Sequence, residues 1–258
     1  MFRLLKGCLG GCVVLLLLLA GGSFVIYSWF QKTYNTPLPP APKLGPAVAL
    51  RPTIVLRAGD PYAAGTAVAV RTAAGREPIL LTALHLFGPD GNDNFDRPHA
   101  PEELNKLVKE IQLKPFGGGS VVARTRTVLR KKGPGLVEGE SRVQFDLAVF
   151  SLAPKPKVSV QPLAEKDPKM GEWVWLVGDE LKDRPQRQRL YPAQVGIVNL
   201  NGGLLRLKQP MDLSAFSGAP VVNVKGEVVG ILIGGGDAGA MMNSAEGIRH
   251  RLMESRIK

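Results

Sequence analysis

The sequence predicts an all-β protein built from many short antiparallel strands with one inserted helix. Three observations point there. Thirty glycines and 21 prolines in 258 residues supply frequent turns. Short apolar runs of strand length recur between those turns. Only one interior segment carries helical spacing, and no internal repeat marks a solenoid or propeller. With 45% hydrophobic and 21% charged residues, the composition excludes a mostly disordered chain.

The first element is apolar and precedes the domain. Between Lys6 and Lys32 no charge occurs for 25 positions, with a Val-Leu run at 13–19 at its centre. A helix of that length crosses a hydrocarbon core of about 30 Å. Arg3 and Lys6 precede the run, and Tyr27 and Trp29 close it. That pattern predicts a signal anchor over 1–32 with a cytoplasmic N-terminus and everything after it exported. Ala20-Gly21-Gly22 offers the competing account, a cleaved signal peptide followed by secretion. A proline-rich linker over 33–49 follows, with Thr36-Pro37-Leu38-Pro39-Pro40-Ala41-Pro42 of polyproline-II character. The main domain occupies 50–258.

Within that domain, residues 53–56, 66–71 and 79–83 read as strands, with Ala73-Ala74-Gly75-Arg76 as a turn. Pro101 then suits the first turn of a helix, Glu102 and Glu103 suit its dipole, and Leu104, Leu107, Val108 and Ile111 share a face. Pro115 and Gly117-Gly118-Gly119 end it. Further strands are expected at 121–129, 145–152, 173–177, 194–200, 204–207, 221–224 and 228–233, and a terminal helix at 249–256.

Charge and cysteine content exclude several functions. Of the net +11, residues 1–32 carry +3, leaving +8 on the rest. Basic pairs such as Lys131-Lys132 lie beside turns without interleaved aromatics, which is a solvated basic surface rather than a nucleic-acid platform. Cys8 and Cys12 both fall in the apolar segment, so the domain has neither a disulfide nor a thiolate metal site. Asp90, Asn92, Asn94 and Asp96 fail the EF-hand pattern, with Phe95 where glycine should turn the loop. They read as a polar turn, and no metal or other cofactor is implied.

Three segments stand out chemically. His85 ends the apolar run Ile79-Leu80-Leu81-Thr82-Ala83-Leu84, so a titratable ring is delivered at the exit of a buried strand. Alone it equally suits a hydrogen-bonded core histidine. By contrast, His99 reads as a solvated loop residue and His250 as a surface residue of the terminal helix. Asp146 leads into Leu147-Ala148-Val149-Phe150, where a carboxylate needs a partner against desolvation, unless it caps the strand. Ser217 stands in Ser214-Ala215-Phe216-Ser217-Gly218-Ala219-Pro220, whose small residues let backbone approach a substrate or simply form a tight turn.

The segments occur in the order His, Asp, Ser, spaced by 61 and 71 residues. Here the sequence resembles the trypsin-like serine proteases of the chymotrypsin fold. The matches are Gly65-Thr66-Ala67 with Leu81-Thr82-Ala83-Leu84-His85, Asp146-Leu147-Ala148-Val149, and Ser217-Gly218-Ala219-Pro220 with Gly226-Glu227-Val228-Val229-Gly230-Ile231. Bacterial members of the high-temperature-requirement type look most similar, and Gly171-Glu172-Trp173-Val174 fits their strand opening. About 40 residues follow Ser217, too few for the peptide-binding domain that many relatives append.

The resemblance implies two six-stranded antiparallel barrels with the site between them. It makes His85 the general base, Asp146 its orienting partner and Ser217 the nucleophile of an acyl-enzyme mechanism on a polypeptide. It assigns the oxyanion hole to the amides of Ala215 and Ser217. Met211, six positions before Ser217, would line an apolar substrate pocket, or serve as a core methionine. Two positions depart from the family. Ala215 stands where glycine is usual, and Phe216 where an acid or amide is common, so ordering by an ammonium–aspartate pair is unavailable. Those departures favour the rival reading, a protease-like domain that binds peptide or wall components without cutting. An α/β-hydrolase built on Ser217, Asp237 and His250 is excluded, because strand and hairpin text follows the serine where that fold requires a helix.

Overall fold

The computed structural model describes residues 36–130, 145–181, 186–236 and 239–257. The anchor expected over 1–32, both cysteines and Lys131-Lys132 lie outside them. Among the described residues no helix is long and apolar enough to cross a membrane.

The first half holds strands β1 (Ala49–Leu56), β2 (Tyr62–Ala63), β3 (Ala67–Arg71) and β4 (Ile79–Thr82), a 3-10 turn His85–Phe87, and a one-turn helix α1 (Leu104–Leu107). Strands β5 (Val108–Pro115), β6 (Ala123–Thr125), β7 (Ala148–Ser151) and β8 (Gln161–Pro162) complete it. The order in the sheet is β6-β5-β1-β3-β4-β7, with β2 on β1 and β8 parallel to β3. The second half is β9 (Trp173–Gly178), β10 (Arg189–Asn199), β11 (Gly202–Leu207), β12 (Pro220–Val222), β13 (Val228–Gly236) and β14 (Gly239–Ser244), followed by helix α2 (Ala245–Glu254). These six strands form a closed barrel in the order β10-β11-β14-β13-β12-β9.

The expectation of two six-stranded barrels is therefore corrected in its first half. That half is an open eight-stranded sheet in which, among the described residues, the segment after β6 meets β7 through the Val128–Phe150 bridge and three flanking backbone bonds, Leu129 N to Val149 O (2.8 Å), Arg130 N to Val149 O (3.5 Å) and Ser151 N to Thr127 O (2.9 Å). The predicted inserted helix is corrected too. Only Leu104–Leu107 is helical, and Val108 onward is β5. Antiparallel pairing decides this, since Ile111 faces Ile54 and Leu113 faces Pro52 along β1. The β-branched Val108 and Ile111 bury against the sheet, and tertiary packing overrides the helical spacing. Strands β2, β8 and β14 had no counterpart in the sequence reading.

Apolar residues of β3, β4 and β7 alternate between two cores. Val68, Val70, Leu81 and Val149 point toward the closed barrel's core with Trp175 and Phe216, while Ala69, Leu80, Ala148 and Phe150 pack under β1 and β5. The sheet is thus buried on both faces, which fixes its register. That register matters for the site: Thr82 of β4 lies opposite Ala148 of β7. The chain leaving β4 toward His85 and the chain entering β7 from Asp146 therefore emerge at the same end. At the terminus α2 begins at Ala245, four residues before the expected 249, because the Ser244 hydroxyl caps it by accepting from Gly247 N at 3.2 Å.

Candidate active site

Asp146 is buried and faces His85 with both oxygens. Oδ1 accepts the His85 backbone N–H at 2.9 Å, and Oδ2 lies 2.5 Å from His85 Nδ1. The contact fixes the tautomer, placing the proton on Nδ1 when the ring is neutral and leaving Nε2 as the acceptor. Burial works against the ring's charged form, but the hydrogen bond and charge of Asp146, with a smaller contribution from Asp90, more than compensate, so the His85 pKa is raised.

The main chain around Asp146 is held on three carbonyls. Arg130 Nη1 donates to Phe145 O (2.9 Å) and Leu147 O (2.6 Å), and Asn243 Nδ2 donates to Asp146 O (2.8 Å). Arg130 is fully buried, and that burial, helped by the charge of Arg251, lowers its pKa to about 10. The sequence reading missed Arg130, hidden beside a lysine pair, and also Asn243. Neither residue type announces a buried clamp.

Ser217 is half-buried in the segment that leads into β12. Its carbonyl accepts Thr66 N at 2.7 Å, and Thr82 Oγ1 donates to Thr66 O at 2.6 Å, so the serine is stitched to the ends of β3 and β4. Gly218 makes this approach possible. At φ +84° an added Cβ would sit 2.0 Å from Thr66 O. Gly65 performs the same service from the other side, because its Cβ would meet Ser217 O at 2.5 Å and Leu86 Cδ1 at 2.6 Å. One glycine thus separates Ser217 from the neighbour of His85. Among the described residues, Ser217 Oγ and the His85 ring make no direct hydrogen bond.

The amides of Phe216, Gly218 and Ala219 donate to Leu213 O (2.9 Å), Leu232 O (2.7 Å) and Phe216 O (2.7 Å). Those of Ala215 and Ser217 donate to none of the described residues. Ala215 does not adopt a positive φ, so the 213–216 turn is not of type II. Its carbonyl is fixed by Thr66 Oγ1 (2.9 Å) and Arg51 Nη1 (3.3 Å). A cavity of about 500 Å³ opens beside Ser217, lined by Met211, Asp212, Leu213, Ser214 and the glycines 234–236. Met211 is half-buried there, and the exposed Asp212 makes the lining less apolar than methionine alone suggests.

The other histidines lie elsewhere. His99 is not solvated as expected. Its ring packs edge-on against Phe95 (5.1 Å, 83°), stands 3.5 Å from Glu103, and is 16% exposed. His250 is on the surface of α2, 3.5 Å from Glu254. Asn92 and Asn94 close a local turn, and no cluster of metal-binding side chains occurs among the described residues.

A half-open sheet beside a closed six-stranded barrel, with a His–Asp pair facing a serine turn, defines the chymotrypsin-like class. The trypsin-like peptidase domain matches residues 65–231, and the chain belongs to that family. Among solved structures it is similar to a serine endoprotease from Yersinia pestis, at 15% identity and TM-score 0.50, covering 82% of this chain and 63% of that one. It is likewise similar to the HtrA-type protease AlgW with a tripeptide, at 15% identity and TM-score 0.51, covering 83% of this chain and 61% of that one. The chain thus spans under two thirds of either neighbour's length. No curated protein matches it significantly.

Proposed function

We propose that this chain is a membrane-tethered serine endopeptidase that cuts polypeptides outside the cytoplasm through an acyl-enzyme and without a cofactor. The observation that carries the reading is the double contact of Asp146 with His85 beside the stitched Ser217 turn. In this mechanism neutral His85 takes the Ser217 proton through Nε2 as Oγ attacks the scissile carbonyl. The imidazolium, stabilised by Asp146, then returns the proton to the leaving amine, and water repeats the sequence on the acyl-enzyme. Substrate binding is the step that brings Oγ within reach of Nε2, as such contacts commonly tighten only in the bound complex. The amide of Ser217 is a donor for the oxyanion, that of Ala215 joins it once the Ser214–Ala215 peptide turns, and the cavity at Met211 receives the side chain before the cut.

A fluorophosphonate probe tests this on the full-length chain. Wild type should be labelled at Ser217 and should cleave an unfolded protein; Ser217→Ala should do neither while keeping its melting temperature. Undiminished cleavage by Ser217→Ala refutes the assignment. Tethering rests on the 25 uncharged residues before Lys32, and retention in the membrane pellet after carbonate washing checks it.

One observation favours a second reading, a catalytically impaired peptide- or wall-binding domain. The negative φ of Ala215 turns the Ser214–Ala215 peptide opposite to the orientation that a left-handed residue gives. Peptide binding without any labelling of Ser217 would select that reading.

A further inference from the structure

Phe216 immediately precedes the nucleophile and is completely buried. Its ring lies across Gly178, the last residue of β9, where an added Cβ would stand 2.8 Å from Phe216 Cε1. Beside it on the same face of the sheet is Tyr191 of β10, paired across the ladder with Leu176, and the tyrosine ring meets Phe216 edge-on at 5.5 Å and 82°. The tyrosine is held in turn, because its hydroxyl donates to Asp179 Oδ1 at 2.8 Å. Asp179 is fully buried and also accepts Arg187 N at 2.8 Å and Glu180 N at 3.1 Å, with Arg189 Nε at 3.4 Å.

The 213–219 segment is joined to β13 by two backbone bonds, Gly218 N to Leu232 O (2.7 Å) and Leu232 N to Ala219 O (2.8 Å), and its ties to β3 and β4 run through carbonyls. Leu213, Phe216 and Ala219 enter the closed barrel's core, and Phe216 is the large side chain among them that adjoins Ser217. Asp179 acts on the same segment by a second route, since its charge supports the half-buried Arg51, whose Nη1 donates to Ala215 O.

We propose that Tyr191, held by Asp179, is a positioning residue for the nucleophile: by bracing the edge of the Phe216 ring where it lies over Gly178 it fixes the backbone on which the Ser217 hydroxyl and amide are presented. The proposal rests on the endopeptidase reading for its catalytic consequence, but its structural core can be measured without catalysis. Tyr191 touches no reacting atom; it works through Phe216. An aromatic edge contact anchored by a buried carboxylate thereby does for this turn what a charged residue inside the turn could have done.

The test uses hydrogen exchange and active-site labelling on the full-length chain, with Tyr191→Phe, Tyr191→Leu and Gly178→Ala. Exchange at Phe216 and Gly218 should quicken roughly tenfold in Tyr191→Phe and more in Tyr191→Leu, with β9 and β10 still protected. Gly178→Ala should give the same local signature by lifting the ring off β9, since its Cβ would stand 2.8 Å from Phe216 Cε1. Labelling of Ser217 and kcat should fall in the same order, with KM little changed and Phe recovering part of what Leu loses. Exchange at the turn that stays at the wild-type rate in all three variants overturns the proposal, as does a loss of protection shared equally by the whole barrel. If the turn loosens as expected but wild-type Ser217 is never labelled, the endopeptidase reading fails while the clamp stands.

Discussion

Asp146 grips His85 by both its main chain and its ring, with Oδ1 on the backbone N–H at 2.9 Å and Oδ2 2.5 Å from Nδ1. A carboxylate bound to only the ring could swing with it. Here the backbone contact holds the carboxylate still, so the imidazole rotates against a fixed partner.

A consequence appears in the pH profile. Because Asp146 raises the His85 pKa, the acid limb of kcat/KM should have its midpoint above the ordinary histidine value of about 6.5. Asp146→Asn should move the midpoint down and lower kcat by on the order of 10⁴. The same pair acts oppositely on stability. A raised folded pKa contributes stability in full below the unfolded value and loses it as pH rises through the folded one, so protection against denaturant from this pair fades as activity appears. An acid limb centred below 6.5 in wild type would contradict the arrangement.

Ala215→Gly should increase activity. Glycine removes the penalty of about 1–2 kcal/mol for a left-handed residue and lets the Ser214–Ala215 peptide turn its amide to the oxyanion. A single such donor is typically worth about 10²–10³ in rate, so a gain of tenfold or more in kcat is expected, with little change in KM. No gain would mean that residue 215 is not the limiting donor.

Gly218→Ala should be the most damaging small change in the site. Its methyl would lie 2.0 Å from Thr66 O at a φ of +84°, forcing the serine turn off the first sheet. A loss of about 3 kcal/mol or more is expected in denaturant unfolding, together with loss of Ser217 labelling.

Arg130→Met should separate clamping from chemistry. The side chain donates to the carbonyls of Phe145 and Leu147 beside Asp146, the second of them in a buried bond. Phe145 O keeps the Leu147 N–H at 2.8 Å, so the loss of the Arg130 donor should cost about 1–3 kcal/mol, and the acid limb of the pH profile should broaden or shift as Asp146 loses its fixed seat. An unchanged profile would confine Arg130 to a folding role.

Much of this arrangement is legible in the linear text because the site is assembled by strand ends. His85 closes an apolar run and Asp146 opens one, and antiparallel pairing of those runs at Thr82 and Ala148 brings the two side chains together. What the text conceals is long-range. Residues 104–111 carry helical spacing, yet β1 supplies partners that only a strand can use. His99 looks like a loop residue until Phe95 folds over it. Arg51, Arg130 and Asn243 bind backbone carbonyls, an interaction that leaves no trace in residue spacing. The openness of the first sheet is likewise invisible, since the contact between its far ends is one bridge and a few backbone bonds between distant segments.

That single bridge has a bearing on how the molecule would fail under heat. β7, directly downstream of Asp146, is laddered to β4 along one flank and, among the described residues, joined along the other at Val128–Phe150 and its three neighbouring backbone bonds. Regions with sparse cross-links fray at lower free energy than a continuous ring of strands. Warming should therefore detach the carboxylate from the imidazole while the six-stranded half is still intact, and the loss of function would be reversible on cooling until that second half melts.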